Sequence, residues 1–281
     1  MDPNTNPFTL SPEMDDRIRL NYAVETGNIH QLRLLLAAQD VYPPSEGIRN
    51  DLLRLAVRSS QMAVVEFLRK NYPPNEIESP AISSAIISGS KLFVSVFLSS
   101  DPLMINRQFM AGGTPLILAC MSGQQPEFLK FLLDQGADPD MKCMFFKFSV
   151  LECLAGMYQA LHPGTRAIDL MLEYGAKINE PDVLMAAVRQ GREDIVGYLL
   201  RLRLMRAELE RDPHDKSVLH VAASGGFAEI MRILLEHGVD VNSKNEHGKT
   251  TMQVVENIER EEGRDMKEVK ELLNKQLAMK R

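Results

Sequence analysis

The chain has no tryptophan, few aromatic residues of any kind and no excess of positive charge. Of its 281 residues, 6% are aromatic, and 32 Lys and Arg stand against 38 Asp and Glu, a net charge of −6. Few aromatics argue against a stacking platform for single-stranded nucleic acid. Without a basic excess, the electrostatic basis for binding a phosphate backbone is missing as well. We therefore predict no nucleic-acid partner.

Cysteines and long apolar runs are also scarce. Three cysteines, Cys120, Cys143 and Cys153, are too few for a disulfide framework, which favours reduced thiols. The first residues, MDPNTNPFTLSPEMDDRI, lack the basic segment and apolar run of a secretory signal. No apolar stretch approaches the roughly 20 residues that span a bilayer. These absences predict a soluble, cytoplasmic or nuclear protein with no membrane contact. We also expect it to be monomeric.

What the sequence does contain is a repeat. Two segments, GGTPLILACMSGQQPEFLKFLLDQGADPD and SVLHVAASGGFAEIMRILLEHGVDVN, each place a glycine four residues after a small residue: Gly123 after Ala119, and Gly226 after Ala222. The corresponding frame positions recur at spacings of 29 to 35 residues. They are Ala23, Ala56, Ala85, Ala119, Leu154, Ala187, Ala222 and Val255. A fixed period of this length indicates a repeat architecture.

Each repeat predicts the same pair of short helices. A small residue lets the first helix pack closely, and the glycine after it permits a turn with positive φ. The second helix ends in a run such as FLLDQG or ILLEHG, with glycine just beyond the helix. Thr114, Ser217 and Thr250 are placed to cap the first helices that follow them. Helix pairs this short must stack on their neighbours to bury their apolar faces.

The segments GGTPLILA, SVLHVAA and LLEHGVDVN resemble the ankyrin repeat, whose signature includes T-P-L-H-x-A at a period of 33 residues. The match covers roughly residues 15–275 and is strongest in repeats four and seven, although Ile117 stands where the family prefers histidine. The resemblance implies an all-α ankyrin repeat solenoid of about eight helix–turn–helix units joined by hairpin loops. It also implies a protein partner bound at the concave face, and a structural, loop-binding role for His220.

Residues 1–10 are predicted to be a flexible tail, and residues 11–281 to form the repeat domain. Both end repeats have polar outer faces and are interpreted as caps of a complete solenoid. The predicted repeats lie near residues 15–44, 48–76, 78–108, 112–143, 144–179, 181–213, 215–245 and 248–275.

The fifth repeat, LECLAGMYQALHPGTRAIDLML, contains a cysteine and a histidine that invite a catalytic interpretation. Cys153 and His162 are nine residues apart on one predicted helix. That separation is about 13 Å along the axis, too far for a nucleophile and its base. About five extra residues before Pro163 predict one more turn of this helix. No CxxC or HxxxH spacing occurs, so we predict no metal, cofactor or catalytic residues.

The loop that enters repeat five is the strongest candidate for a functional site. Residues 141–148, MKCMFFKF, carry Met144, Phe145, Phe146 and Phe148 where the family normally has a polar finger. Alternation along the loop would place Phe146 beside Phe148 and Phe145 opposite. Exposed aromatic residues at a loop tip suit a binding hot spot. The alternative left open is that these side chains fold back as core over the enlarged repeat.

Exposed positions of the first helices extend the candidate surface. They are apolar in the middle repeats and polar in the outer ones, as expected of an interaction groove. The predicted partner-binding residues are Met121, Met144, Phe145, Phe146, Phe148, Met157 and Tyr158, with Arg58, Arg189 and Glu25 as charged rim positions.

Two other functions remain open at this stage. An enzyme or small-molecule-binding protein would use a pocket beside repeat five, provided that Tyr158, His162 and a carboxylate line one deep cavity. A structural spacer without a specific partner would be favoured if the aromatic finger is wholly buried. The sequence does not identify the protein partner.

Overall fold

The structure, a computed structural model, describes residues 16–38, 44–72, 79–109, 113–157, 164–178, 181–202, 218–245 and 247–279. These residues are mostly helical, and their only β feature is an isolated bridge between Lys244 and Thr250. The chain divides into two units, Met1–Met110 and Ala111–Arg281. The predicted N-terminal tail lies outside the described residues.

The N-terminal unit contains three helix pairs. First helices α1, α3 and α5 pack in one layer, and second helices α2 and α4 pack in another. The helices are α1 Asp16–Glu25, α2 Ile29–Ala38, α3 Glu46–Arg58, α4 Met62–Asn71, α5 Ser79–Ile87 and α6 Lys91–Ser100, followed by a 3₁₀ helix, Pro102–Asn106.

The C-terminal unit contains five more pairs, whose first and second helices form two layers of this unit. The helices are α7 Pro115–Met121, α8 Pro126–Asp134, α9 Val150–Glu152, α10 Arg166–Glu173, α11 Pro181–Arg189, α12 Glu193–Arg201, α13 Val218–Gly225, α14 Ala228–Glu236, α15 Thr251–Glu262 and α16 Lys267–Met279. The described residues thus contain eight helix pairs, in agreement with the predicted repeat number.

The predicted frame positions are part of the buried core of both units. All eight of them are at most 2% exposed. Seven lie in first α-helices, and Leu154 lies in the π-helix that continues α9. Six of the eight are alanines, whose small side chain allows the neighbouring first helix to approach. The repeat frame is therefore confirmed as a packing frame.

The turn between the two helices of a repeat requires a left-handed residue. Glycine provides it in five repeats, with φ between 68° and 73°, at Gly27, Gly89, Gly123, Gly191 and Gly226. In repeat two the same turn is made by Ser60, with φ of 57°. Because a side chain disfavours this region, Ser60 is a strained position.

Predicted helix caps are present where the structure describes them. The Thr114 hydroxyl accepts a hydrogen bond from the Ile117 amide at 3.4 Å. Thr250 forms a reciprocal capping box with Gln253. Ser217, the third predicted cap, lies outside the described residues. These side chains satisfy amide groups that the helix itself leaves without partners.

Repeat five departs from the predicted longer α-helix. Its first helix has only three α-helical residues and then widens into a π-helix, Cys153–Met157. Gly156 lies so close to α11 that an added Cβ would be 2.7 Å from the Ala186 carbonyl oxygen. The predicted extra turn itself would fall on residues 158–163, outside the described residues.

Candidate protein-binding site

The loop entering repeat five is a closed hairpin, called here the aromatic finger and comprising residues 143–148. The Cys143 amide donates to the Phe148 carbonyl at 2.9 Å, and the Lys147 amide donates to the Cys143 carbonyl at 2.9 Å. Lys147 has φ of 58°, the conformation that Gly248 supplies in a later loop. Two hydrogen bonds and one left-handed residue therefore fix the direction of the tip.

Three large apolar side chains project from the tip of the finger. Met144 is 51% exposed, Phe145 63% and Phe146 73%. Lys147 is exposed next to them. Large apolar side chains clustered at a loop tip are unusual on a protein surface and are typical of interaction sites.

Phe148 differs from the other three, because it is only 8% exposed. Its ring stacks on Phe146, with centroids 6.2 Å apart and planes 17° apart. The predicted pairing of these two rings is thus present. As a direct contact residue, however, Phe148 is a misplaced prediction, since its position at the base of the hairpin turns it into the core. Its ring is placed to hold the ring of Phe146 in position by stacking.

The other predicted contact residues occupy equivalent places in their repeats. Glu25, Arg58, Met121 and Arg189 are each the last residue of a first helix. Glu25, Arg58 and Arg189 are exposed, and Met121 is half-buried. Glu25 and Arg58 belong to the N-terminal unit, whereas Met121 and Arg189 belong to the C-terminal unit with the finger.

Two further predicted residues belong to repeat five. Met157 ends the π-helix. Tyr158 lies outside the described residues, as does His162. The alternative pocket lined by Tyr158 and His162 therefore stays a prediction.

A buried arginine that sequence reasoning missed anchors repeat five. Arg192 is 1% exposed, and its guanidinium donates to the carbonyls of Leu154 at 3.5 Å and Gly164 at 3.3 Å. It also pairs with Asp194, and this hydrogen-bonded pairing holds the pKa of Asp194 below its ordinary value. The side chain therefore links repeat six to both sides of the repeat-five insert.

Second helices of adjacent repeats are linked by tyrosine–aspartate hydrogen bonds. Tyr174 donates to Asp134, and Tyr198 donates to Asp169. Burial, with a smaller contribution from Asp169, raises the pKa of Tyr198 to about 12. Lys130 adds hydrogen bonds to Asp134 at 2.9 and 3.0 Å. These contacts link the second helices of repeats four, five and six.

The three cysteines lie near one another in the core of repeats four and five. All three are buried free thiols. Burial raises the pKa of Cys120, and it raises the pKa of Cys153 to about 12, with smaller contributions from Cys143 and Glu152. A thiol kept protonated in this way lacks the thiolate that nucleophilic or metal chemistry needs. The geometry suits apolar core residues.

Other site types find little support in the described residues. The cavity beside the finger is lined by Pro139, Asp140, Ser149, Leu151 and Lys177, and it measures only about 210 Å³. Ligand pockets more commonly measure about 300–1,000 Å³. Within the described ranges, no three His, Cys, Asp or Glu side chains are grouped to hold a metal ion. None of the helices described is long and apolar enough to cross a membrane.

Comparison with known proteins decides the family. The family model for ankyrin repeats in three copies matches residues 53–143 and 157–252. The chain belongs to the ankyrin-repeat family. Ankyrin repeats generally act as protein–protein interaction modules rather than catalysts, which agrees with a site made of exposed apolar side chains.

Individual relatives are distant. A transient receptor potential cation channel subfamily A member 1 homolog of Caenorhabditis elegans is 24% identical over 210 residues, 73% of this chain and 14% of the relative. The B-cell lymphoma 3 protein homolog of Mus musculus is 26% identical over 190 residues, 64% of this chain and 40% of the relative. The chain thus matches less than half the length of either.

A solved structure gives the same fold. It is that of the Bd0816 predatory endopeptidase from Bdellovibrio bacteriovorus in complex with immunity protein Bd3460. The match has a TM-score of 0.53 at 20% identity and covers 65% of this chain and 93% of that one. At this identity the likeness concerns the fold alone.

The ankyrin-type histidine of repeat seven has the structural role that the resemblance implied. His220 is 5% exposed, and its Nε2 lies 3.0 Å from the Lys249 carbonyl oxygen in the next loop. A carbonyl only accepts hydrogen bonds, so Nε2 carries the proton. Burial lowers the pKa of His220, opposed by this hydrogen bond, which favours the neutral ring. The histidine therefore holds the next loop in place.

Proposed function

We propose that this ankyrin protein binds a protein partner through the aromatic finger, with Met144, Phe145 and Phe146 as the anchoring side chains. The observation that carries the proposal is the exposure of all three on a hydrogen-bonded hairpin. Burying each side chain against a partner would stabilise the complex by roughly 1.5–3 kcal/mol. A few such anchors dominate the affinity of most protein interfaces.

Preorganisation of the finger supports the same role. The hairpin hydrogen bonds and the Phe146–Phe148 stack hold the tip before a partner arrives. Less conformational entropy is therefore lost on binding than with a flexible loop. In this proposal Met121 and Arg189, and the end of repeat five at Met157 and Tyr158, contribute contacts around the finger, while Glu25 and Arg58 serve as charged positions in the N-terminal unit.

The test compares the intact protein with the double variant Phe145→Asp, Phe146→Asp. Partners are captured from a cell extract of the source, identified, and then titrated as purified proteins. We expect the double variant to lose at least ~2 kcal/mol of binding free energy, or roughly 30-fold in Kd. Because both side chains are exposed, the double variant should still fold, and its thermal unfolding should show only the small loss of stability expected from removing the Phe146–Phe148 stack.

Leu103→Asp provides the matched control. Leu103 is 76% exposed on the 3₁₀ helix of the N-terminal unit, away from the finger in sequence. This variant adds a similar charge to a similarly exposed apolar position, and we expect it to bind normally. Equal binding by the unsubstituted protein and the finger variant would contradict the proposal, as would an equal loss with Leu103→Asp.

A further inference from the structure

A cleft of about 580 Å³ lies between α1 and α3 of the N-terminal unit. One wall is formed by residues 16–21 of α1 and the other by residues 45–58 of α3. Its volume is within the range of about 300–1,000 Å³ that ligand pockets occupy. It is built entirely from first helices, and the aromatic finger takes no part in it.

Arginines form the rim of the cleft. Asp51 accepts hydrogen bonds from Arg17 at 3.4 Å and from Arg54 at 3.2 Å, one on each carboxylate oxygen. A single carboxylate thus holds two guanidinium groups on opposite walls. The other aspartate of the cleft, Asp16, pairs with Arg19, which lies outside the lining.

Arg54 and Arg58 have N–H donors that the cleft aspartates do not use. Arg58 ends α3 at the cleft, is exposed, and forms no hydrogen bond or ion pair with any residue that the structure describes. A guanidinium has five N–H donors, and Arg54 uses one of them for Asp51. Three arginines therefore face two aspartates, in a chain whose net charge is −6. This local excess of positive charge favours an anionic ligand.

The floor of the cleft is apolar. Leu20 and Leu52 are each 3% exposed and close its base. Ile48, at 39% exposed, and the half-buried Leu55 offer apolar surface beside the arginines. A small inorganic anion would leave this surface uncovered. A ligand that covers it needs an apolar side chain next to its negative charge.

We propose that this cleft binds a short acidic segment of a partner protein. One carboxylate of the segment would bridge Arg54 and Arg58, and a neighbouring Leu, Ile, Met or Phe would pack on Ile48 and Leu55. Planar guanidinium groups suit carboxylates because they donate two parallel hydrogen bonds. The cleft shares Arg58 with the surface proposed above, but it is a second contact site with its own chemistry and does not depend on the role of the finger.

Selection of peptides from a random dodecapeptide library by the full-length protein tests the proposal. We expect the enriched peptides to share at least two acidic residues and one large apolar residue. Each enriched peptide is then synthesised and titrated by fluorescence anisotropy. Arg54→Glu and Arg58→Glu should each weaken binding at least tenfold, and about 0.5 M NaCl should weaken it further by screening.

The matched control is Arg260→Glu, the same charge change at an exposed arginine of α15 in the C-terminal unit. It should leave peptide affinity unchanged within a factor of two, and thermal unfolding should show that all three variants fold. Selection of peptides without acidic residues, no enrichment, or equal binding by Arg58→Glu would each overturn the proposal.

The protein's own first residues are the competing occupant. Residues 1–15 carry Asp2, Glu13 and Asp15, and they directly precede the α1 wall. The full-length variant Asp2→Asn, Glu13→Gln, Asp15→Asn distinguishes the two. A partner site predicts enrichment with both proteins. If only the neutralised variant enriches acidic peptides, the cleft binds the protein's own N-terminal residues and the proposal is wrong.

Discussion

The guanidinium of Arg192 holds the carboxylate of Asp194 with two hydrogen bonds, 3.0 Å from Nε and 3.1 Å from Nη2. Asp194 remains 43% exposed, while the arginine beneath it is 1% exposed. The buried charge is thus neutralised at the surface, and its remaining donors reach the carbonyls of Leu154 and Gly164. A single side chain of repeat six therefore holds the irregular repeat five in place.

Replacing Arg192 should therefore destabilise the C-terminal unit. Arg192→Met keeps most of the volume but leaves the two repeat-five carbonyls without this donor, at an expected cost of about 3 kcal/mol. Urea unfolding measures the change. Arg201→Met, at an exposed arginine ending α12, is the control and should cost less than about 0.5 kcal/mol. Equal effects of the two variants would contradict the anchoring role.

The Arg192–Asp194 pair also makes the stability of the folded protein depend on pH. Arg192 lowers the pKa of Asp194 in the folded protein, so unfolding raises that pKa. The contribution is complete above the unfolded value near 4 and is lost as the pH falls through the folded value. Asp194→Asn should reduce stability at pH 7 and flatten the decline of stability below about pH 4. Parallel pH profiles for the two proteins would show that the pair contributes nothing.

The eight buried frame positions were predictable because they recur with the repeat, six of them as alanines. Arg192 was not predictable in this way, since an arginine between glycine and glutamate reads as a surface residue. Its position in the repeat held a clue. Gln61, five residues after the frame position of repeat two as Arg192 is in repeat six, donates to the Glu25 carbonyl of the preceding repeat at 2.8 Å.

The orientation of the aromatic rings in the finger was also not predictable from the sequence. The composition of the finger was compatible with either an exposed site or a core cover, and alternation placed Phe146 beside Phe148. Neither could show which of two stacked rings faces the core, because that depends on the left-handed turn at Lys147. The π-helix of repeat five was equally hidden, since it depends on how closely Gly156 approaches α11.

Ser60→Gly should stabilise the N-terminal unit. A left-handed conformation costs a residue with a side chain roughly 1–2 kcal/mol, part of which glycine loses again through its more flexible unfolded state. We expect a net gain of about 0.5–1 kcal/mol in urea unfolding. The adjacent Ser59, with φ of −88°, is the control, because Ser59→Gly brings only the entropic loss and should destabilise. Stabilisation by both substitutions would refute this account.

Gly156→Ala, in contrast, should destabilise the C-terminal unit. The new Cβ would lie 2.7 Å from the Ala186 carbonyl oxygen and 2.9 Å from its carbonyl carbon, and backbone atoms cannot move aside cheaply. We expect a loss of about 1–3 kcal/mol. Gly197→Ala in α12 is the matched control, since its Cβ would meet only the mobile end of Arg201 at 3.3 Å. It should be neutral or slightly stabilising, because alanine favours helices.

Phe148 should affect partner binding only indirectly, by holding Phe146 in position. It is nearly buried, yet its ring stacks on the exposed Phe146. Phe148→Leu keeps an apolar side chain in the core but removes the stack, which is worth about 0.5–1.5 kcal/mol. If the finger binds the partner as proposed, that loss corresponds to about a twofold to tenfold weaker Kd.

The comparison with Phe131→Leu makes this result specific. Phe131 lies on α8, where it packs against Phe128, so its substitution alters an aromatic pair outside the finger. Both variants should lose some stability, but only Phe148→Leu should weaken binding. Phe146→Leu should weaken binding further, and adding Phe148→Leu to it should have little extra effect, because the stack is already gone. Additive losses in this double-mutant cycle would mean that Phe148 acts on binding independently of Phe146.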